Sequence, residues 1–421
     1  MTHPDRNAAG CQPALAARAL DQGWTLCPDP DNRGRADGWF AKPQSGAATA
    51  PVPGLIQEVF PEHRGIAWYW CIFRLDRRLA ADERVTGAGL TALREWGNST
   101  SGSRLLNGTN HMHIELERKL AAFKGTEASA VFPSGYMANL GVLSALLNEG
   151  DYVVMDKLAH ASIIDGIKLT GSVLRTFKHQ DMESLDKVLA PIPDGASVLI
   201  AIDGIYSMDG DFAKLPEIVK IARKYGAKIM IDDAHSTGVA GPNGRGTADH
   251  FGMEEVDIVT GTLSKALGCV GGFVAGKKEM VEFIKYNARS FIYSTSLSPS
   301  TTASLIAAVD IAEDEKHRRE NLWKVTNYLR EGLQAQGYHT GPSESPIIPV
   351  ILDDEASIEF ICHQSQRVGS CNVYPVGAIT KGRQGKELAG IDGMRALGVR
   401  MLTDDGDTTG DPAARAAGGR C

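Results

Sequence analysis

A lysine set just beyond a buried strand can do chemistry that a surface lysine cannot. In Val256-Asp257-Ile258-Val259-Thr260-Gly261-Thr262-Leu263-Ser264-Lys265-Ala266-Leu267-Gly268 a short apolar, β-branched run reads as such a strand. It breaks at glycine into small hydroxyl residues, and Lys265 follows before more glycine. A desolvated amine can form a Schiff base with a carbonyl, and neighbouring hydroxyls and amides can hold a phosphate. Taken alone, the stretch reads as a solvated loop lysine. A second stretch overturns that reading. Lys228-Ile229-Met230-Ile231-Asp232-Asp233-Ala234-His235 is another buried strand, and it ends in a carboxylate and a histidine.

The elements that must hold these groups belong to an α/β chain. Its 421 residues are 43% hydrophobic and 23% charged, with 46 glycines, as a globular chain of two or three domains would be. A net charge of −7 argues against nucleic acid as a partner. No apolar run reaches the length of a membrane span, and Met1-Thr2-His3-Pro4-Asp5 has neither the basic start nor the apolar core of a secretory signal. Seven cysteines, odd in number and never spaced as CxxC, favour reduced thiols in a cytoplasm over disulfides or zinc.

Residues 1–88 are set apart by aromatic bias, holding Trp24, Trp39, Trp68 and Trp70 of the chain's six tryptophans. Within them Trp68-Tyr69-Trp70-Cys71-Ile72-Phe73 is β-prone. From Gly89 strands and helices alternate. His113 to Lys124 reads as a helix with Leu116, Leu120 and Phe123 on one face. Ala128 to Phe132, Asp151 to Met155 and Ser197 to Ile202 read as strands, and Pro133-Ser134-Gly135-Tyr136 opens a helix. Leu215 to Tyr225 reads as a helix closed by Gly226. Such alternation implies a mostly parallel sheet with helices on both faces and a ligand beyond the carboxyl ends of the strands. Ala312 to Glu320 reads as a solvated, charged helix face.

Six motifs then occur in order: Gly102-Ser103-Arg104, Ser134-Gly135-Tyr136-Met137-Ala138-Asn139, His160-Ala161-Ser162, Tyr206-Ser207-Met208-Asp209-Gly210, Asp232-Asp233-Ala234-His235 and Gly261-Thr262-Leu263-Ser264-Lys265. Through them, residues from about Gly89 to Leu352 resemble the α-oxoamine synthases of the fold-type I pyridoxal-phosphate (PLP) enzymes. The resemblance implies the large domain of that fold, PLP as cofactor, and condensation of an amino acid with an acyl-CoA to an aminoketone, with release of CoA and usually CO2.

It also implies roles. Lys265 carries the cofactor and later serves as acid and base, Asp232 pairs with the pyridine nitrogen, His160 stacks on the ring, and His235 reaches the phenolic oxygen. Gly135, Tyr136, Thr262 and Ser264 cradle the phosphate, Ser134 binds the cofactor beside them, Ser207 joins the polar ring, and Ser294 and Thr295 reach across a homodimer into the partner's site. Asp203 stands where several members carry glutamate, a form that resembles glycine C-acetyltransferase. His111 and His113 make an HxH, but they lie on a family segment of Asn-Gly-Thr…His-x-x-Leu-Glu form, and no metal is expected.

The ends differ. Gly23-Trp24, Gly38-Trp39-Phe40, Val52 to Gln57 and Ala67-Trp68-Tyr69 resemble the N-terminal β-sandwich of β-galactosidase-type glycoside hydrolases. Ile358 to Ile361, Asn372 to Gly382 and Thr403 to Gly406 resemble an internal piece of dihydroorotase. The family's Asn-Tyr-Leu-Gly segment and the arginine that clamps the substrate carboxylate have no counterpart. The expected organisation is therefore a β-rich fragment over 1–88, a PLP-binding large domain over 89–335, a remnant of the small domain over 336–352, and a dihydroorotase-like fragment with a frayed tail over 353–421. Two functions fit this organisation: a working acyltransferase, or a PLP-binding fusion with impaired or no turnover.

Overall fold

Runs of Val, Ile and Ala with no polar alternation build the centre of the molecule, because a strand covered on both faces has no side to expose. The computed structural model describes residues 82–349, apart from positions 254, 255, 336 and 338, and five strands outside that range. By contact the chain divides into one unit of residues 1–76, 354–377 and 390–402, and a second of residues 77–353, 378–389 and 403–421.

In the first unit β1 (Trp24–Asp29) pairs antiparallel with β2 (Ala48–Thr49) and with β3 (Ile66–Cys71). The strand β3 covers most of the β-prone run expected there. In the C-terminal tract Val376–Gly377 pairs parallel with Met401–Leu402. The remainder of the sandwich-like and dihydroorotase-like tracts lies outside the described residues, as do Arg383, Arg395 and Arg400.

The second unit runs α1 (Glu83–Trp96), α2 (His111–Lys124), β4 (Ala128–Phe132), α3 (Gly135–Leu146), β5 (Tyr152–Asp156), α4 (Ala161–Lys168), β6 (Val173–Phe177), α5 (Met182–Leu189), β7 (Val198–Asp203), α6 (Leu215–Tyr225), β8 (Lys228–Asp232), α7 (Thr247–His250), β9 (Ile258–Thr262), β10 (Gly272–Gly276), α8 (Lys278–Asn287), α9 (Arg289–Ile292), α10 (Pro299–Asp314) and α11 (Lys316–Ala335). Seven strands form one sheet in the order β4-β10-β9-β8-β7-β5-β6. Six point the same way, and β10 alone runs antiparallel to both its neighbours.

Strand β7 shows how the sheet is covered. All six residues are buried. Val198, Ile200 and Ile202 enter one core with Leu116, Leu120 and Ile218, whereas Leu199 and Ala201 enter the other with Val142, Ile163 and Ile284. Period-2 alternation thus feeds two helical layers. Truncating Ile200, fully buried, to alanine costs about 2–5 kcal/mol. Helix α6 keeps the limits read from the sequence: Pro216 lies in its first turn, and Gly226 closes it at φ 65, a left-handed angle that glycine adopts without a Cβ penalty.

Three expectations change. The seam at residue 88 falls inside α1, which packs on α10 and accepts a hydrogen bond at Val85 O from Ser304 Oγ (3.0 Å), so the helical layer begins before 89. The charged stretch 312–320 is not one solvated face: helix breaks at Glu315, and Arg319 turns inward to donate to Ala312 O (2.6 Å) and Pro242 O (3.2 Å). Strands β6 and β10 were not foreseen: β6 is the edge strand with mostly exposed residues, and β10 is short and bracketed by glycine. Among the described residues no helix is long and apolar enough to cross a membrane.

Candidate active site

Because β4, β5, β7, β8 and β9 are co-directional, the loops after them meet on one edge of the sheet. Those loops carry Ser134, Gly135 and Tyr136 after β4, His160 after β5, Ser207 after β7, His235 after β8, and Ser264 and Lys265 after β9. The two stretches singled out first are neighbours in the sheet.

Lys265 Nζ lies 2.6 Å from His235 Nε2. Burial lowers the pKa of Lys265, with Asp232 and Asp203 opposing. Burial, then Lys265 and His160, lower His235 to about 4. The pair is therefore a short contact between a neutral imidazole and an amine that gives up its proton more readily than usual.

Asp232 ends β8 and is buried. Its Oδ1 accepts the N–H of Ala234 (2.9 Å) and its Oδ2 the amide of Asn139 (2.6 Å). The same Asn139 Nδ2 donates to Ser162 Oγ (2.8 Å), and Ser162 Oγ lies 2.7 Å from His160 Nδ1, which also accepts the Ser162 N–H. Donor order then follows from valence. Asn139 gives one proton each to Asp232 and Ser162, Ser162 gives its own to His160, and His160 keeps its hydrogen on Nε2. One amide thus ties the carboxylate after β8 to the imidazole after β5. Asn139 and Ser162 stand inside two of the recognised motifs, but no role for them could be read there.

Asp203 pairs in register with Asp232 across β7 and β8, and its Oδ1 accepts the His160 N–H at 3.1 Å. Burial, and next the Asp232 charge, push its carboxyl well above the usual range. Two adjacent carboxyls in an apolar sheet cannot both ionise cheaply, which is why the charge on one raises the pKa of the other.

At the start of α3, Ser134 Oγ caps the helix by accepting the Met137 N–H (3.2 Å). The first turn leaves the amides of Gly135 and Tyr136 without intrahelical partners. A Cβ on Gly135 would stand 3.0 Å from Thr262 Cβ, so the absence of a side chain opens the gap between helix and strand. Thr262 Oγ1 donates to Gly271 O (3.1 Å) and lies 2.7 Å from Ser264 Oγ, so Ser264, exposed, faces outward from that pair. Ser207 is exposed beside buried Tyr206. Ser294 Oγ approaches Met137 Sδ (3.9 Å), and Thr295 bridges Ser103, against the Gly102–Gly108 loop that Ser296 grips through Gly102 O and Gly108 O.

The arginine of Gly102-Ser103-Arg104 points inward: it pairs with buried Glu117 (2.8 Å), which also holds Lys285 (3.2 Å) and the Val131 N–H. His113 is fully buried and completes a capping box with Asn110 at the start of α2, while its Nε2 meets Leu297 O (3.1 Å). His111 packs on Trp96 instead.

The set fits PLP: unpartnered helix amides beside a side-chain-free gap for the phosphate, a buried carboxylate held by two donors for the pyridine nitrogen, and a lysine of lowered pKa. A family profile described as Aminotransferase class I and II matches residues 80–368. The chain is 46% identical over 292 residues to serine palmitoyltransferase of Sphingobacterium spiritivorum, covering 69% of this chain and 73% of that one. It is 46% identical over 285 residues to 8-amino-7-oxononanoate synthase of Thermoanaerobacter pseudethanolicus, covering 67% and 72%. Among solved structures, serine palmitoyltransferase of Sphingomonas wittichii superposes with a TM-score of 0.64 at 40% identity over 66% of this chain and 70% of that one. A serine palmitoyltransferase from S. paucimobilis with a bound PLP–myriocin aldimine gives 0.65 at 39% identity, over 68% and 75%. The chain belongs to the aminotransferase class I and II family and, within it, to the PLP-dependent α-oxoamine synthases.

Proposed function

We propose that the chain is a PLP-dependent C-acyltransferase that joins an amino acid to an acyl-CoA, releasing CoA and, as in most of the family, CO2. The observation that carries this reading is the 2.6 Å contact of Lys265 Nζ with His235 Nε2, in a site that lowers the pKa of both. PLP, when bound, supplies a carbonyl carbon to which amines attach and a protonated ring that withdraws electrons from the substrate's α-carbon. Lys265 Nζ would hold the cofactor covalently and, when free, would take and return a proton at that α-carbon. Asp232 would hold the proton on the ring nitrogen, and Asn139 with the Ala234 amide keeps its oxygens in place. His160, its rotation fixed through Ser162, would lie against the ring, and neutral His235 would donate to the phenolic oxygen. The amides of Gly135 and Tyr136, with Thr262, Ser264, Ser134 and Ser207, take the phosphate and the surrounding polar contacts.

The proposed assembly is a homodimer in which Ser294 and Thr295 complete the partner's site. Leu106 (84% exposed) and Tyr293 (74% exposed) support this, since both are large apolar residues on segments that border the pocket. The scattered, odd-numbered cysteines favour a cytoplasmic setting. The PLP-binding portion is placed from α1 to the end of α11, with the tracts on either side as separate fragments.

The sequence also supports a second reading, a cofactor-binding protein with impaired turnover, because it has no Asn-Tyr-Leu-Gly segment and no matching clamp arginine. The test is thiol release from an acyl-CoA panel in the presence of glycine, serine or alanine. CoA release that depends on both substrates supports the acyltransferase; bound PLP with no CoA release under any pairing supports the second reading.

A further inference from the structure

A second cluster of charge lies just past the end of β6. His179, with 21% of its side chain exposed, has Nδ1 2.9 Å from Asp156 Oδ1 and Nε2 3.0 Å from Asp211 Oδ2. An ionised carboxylate only accepts, so both ring nitrogens carry protons and the ring is a cation. Tyr206 packs edge-on against it with ring centroids 4.5 Å apart, and Asp209 is the other acid within reach. Burial alone would lower the pKa of His179, but the two carboxylates outweigh it and raise it to about 10. Tyr206 stays a neutral phenol, because burial and then Asp156 push its pKa upward.

Gln180 reinforces the same grip. Its φ of 55 is uncommon for a residue with a side chain. In that conformation its amide donates to Asp211 Oδ2 (2.8 Å) and Phe212 O (2.6 Å), while its backbone N–H donates to Asp156 Oδ2 (3.3 Å). Two consecutive residues therefore hold two carboxylates that belong to different loops. Asp156 ends β5, and its Oδ1 also accepts the Leu158 N–H (2.9 Å) in the turn that leads to His160. Asp211 accepts the Tyr206 N–H at its backbone oxygen (3.1 Å) and so closes the loop that carries Ser207.

We infer that His179 is a positioning residue: its cation, gripped by Asp156 and Asp211, fixes the loop carrying His160 relative to the loop carrying Ser207. The inference rests on reading that edge of the sheet as the PLP pocket. Its rival is a metal site, since ligand atoms of His179, Asp209 and Asp211 lie within 4.8 Å of one another. A metal would need a lone pair on an imidazole nitrogen, and both nitrogens are committed as donors.

The test uses the full chain and the variants His179→Gln and His179→Arg. Nitrogen-15 imidazole NMR of the wild type is expected to show both His179 nitrogens protonated from about pH 6 to about pH 9. PLP titration is expected to give an affinity about tenfold weaker in H179Q, roughly one lost charge-assisted hydrogen bond, with partial recovery in H179R. The visible circular dichroism of bound PLP, which reports how the ring is seated, is expected to change in H179Q. A lower melting temperature in H179Q with unchanged affinity and dichroism overturns the inference in favour of a merely structural role. A deprotonated nitrogen that responds to added zinc overturns it in favour of a metal. If H179Q does not fold, H179R and the wild-type NMR still decide. A wild type that does not bind PLP at all contradicts the functional reading and leaves the NMR result standing by itself.

Discussion

Lys265 Nζ and His235 Nε2, thirty positions apart in sequence, stand 2.6 Å apart at the ends of two adjacent strands. Burial lowers the pKa of both, and His235 is neutral at any pH above about 4. The amine of Lys265 accordingly loses its proton below the ordinary lysine value of 10.5. The rate of PLP attachment to cofactor-free protein is expected to rise with pH and to reach half its maximum below 10.5. Stopped-flow absorbance across a pH series checks this, and a midpoint at or above the free-lysine value counts against it.

Asn139 is the partner of Asp232 that the fold cannot replace, since among the described residues the other donor to that carboxylate is the Ala234 backbone amide. Asn139→Ala removes a hydrogen bond to a charged acceptor and frees Ser162 and His160 to turn. A loss of about 1.5–3 kcal/mol, or roughly 10- to 160-fold in PLP affinity, is expected. Fluorescence titration of the cofactor-free variant measures it.

Gly135→Ala puts a Cβ 3.0 Å from Thr262 Cβ, a contact that either helix or strand must yield to. The change falls on the phosphate cradle and leaves the ring contacts alone. PLP affinity is expected to drop about tenfold while the affinity for pyridoxal, which lacks the phosphate, stays nearly level, as the loss of one charge-assisted backbone contact implies. Parallel titrations with the two compounds separate the outcomes.

Two histidines should give the stability curve opposite slopes. For His113 burial, then Arg104, lower the pKa from 6.5 to about 4, so the native state binds fewer protons and stability falls as pH drops from 6.5 toward 4. The carboxylates around His179 raise it to about 10 against burial, so its contribution is complete below 6.5 and is lost as pH rises through 10. Urea unfolding across pH is expected to show an acid decline that flattens in His113→Gln and an alkaline decline that flattens in His179→Gln.

Much of this was legible in the sequence because buried parallel strands declare themselves by length and composition. The strand Ala128–Phe132 and the helix Leu215–Tyr225 were read with the limits the structure gives them. Lys265, Asp232, His160 and His235 were legible because their motifs sit where strands end. What stayed hidden depends on contacts between distant segments. Nothing in the spelling of Lys178-His179-Gln180 says that two carboxylates from other loops will close on it. Arg319 looked like one charge among many until Pro242 O and Ala312 O received it. Strand β10 was missed because five residues bracketed by glycine carry too little pattern to separate from a loop.

The central claim is that Lys265 is the residue to which PLP is attached. Borohydride reduction of the PLP-loaded protein, followed by peptide mass spectrometry, tests it most directly. A single pyridoxyl group is expected on the peptide containing Lys265, absent in Lys265→Ala. A pyridoxyl group on another lysine, or none on the loaded wild type, would contradict it.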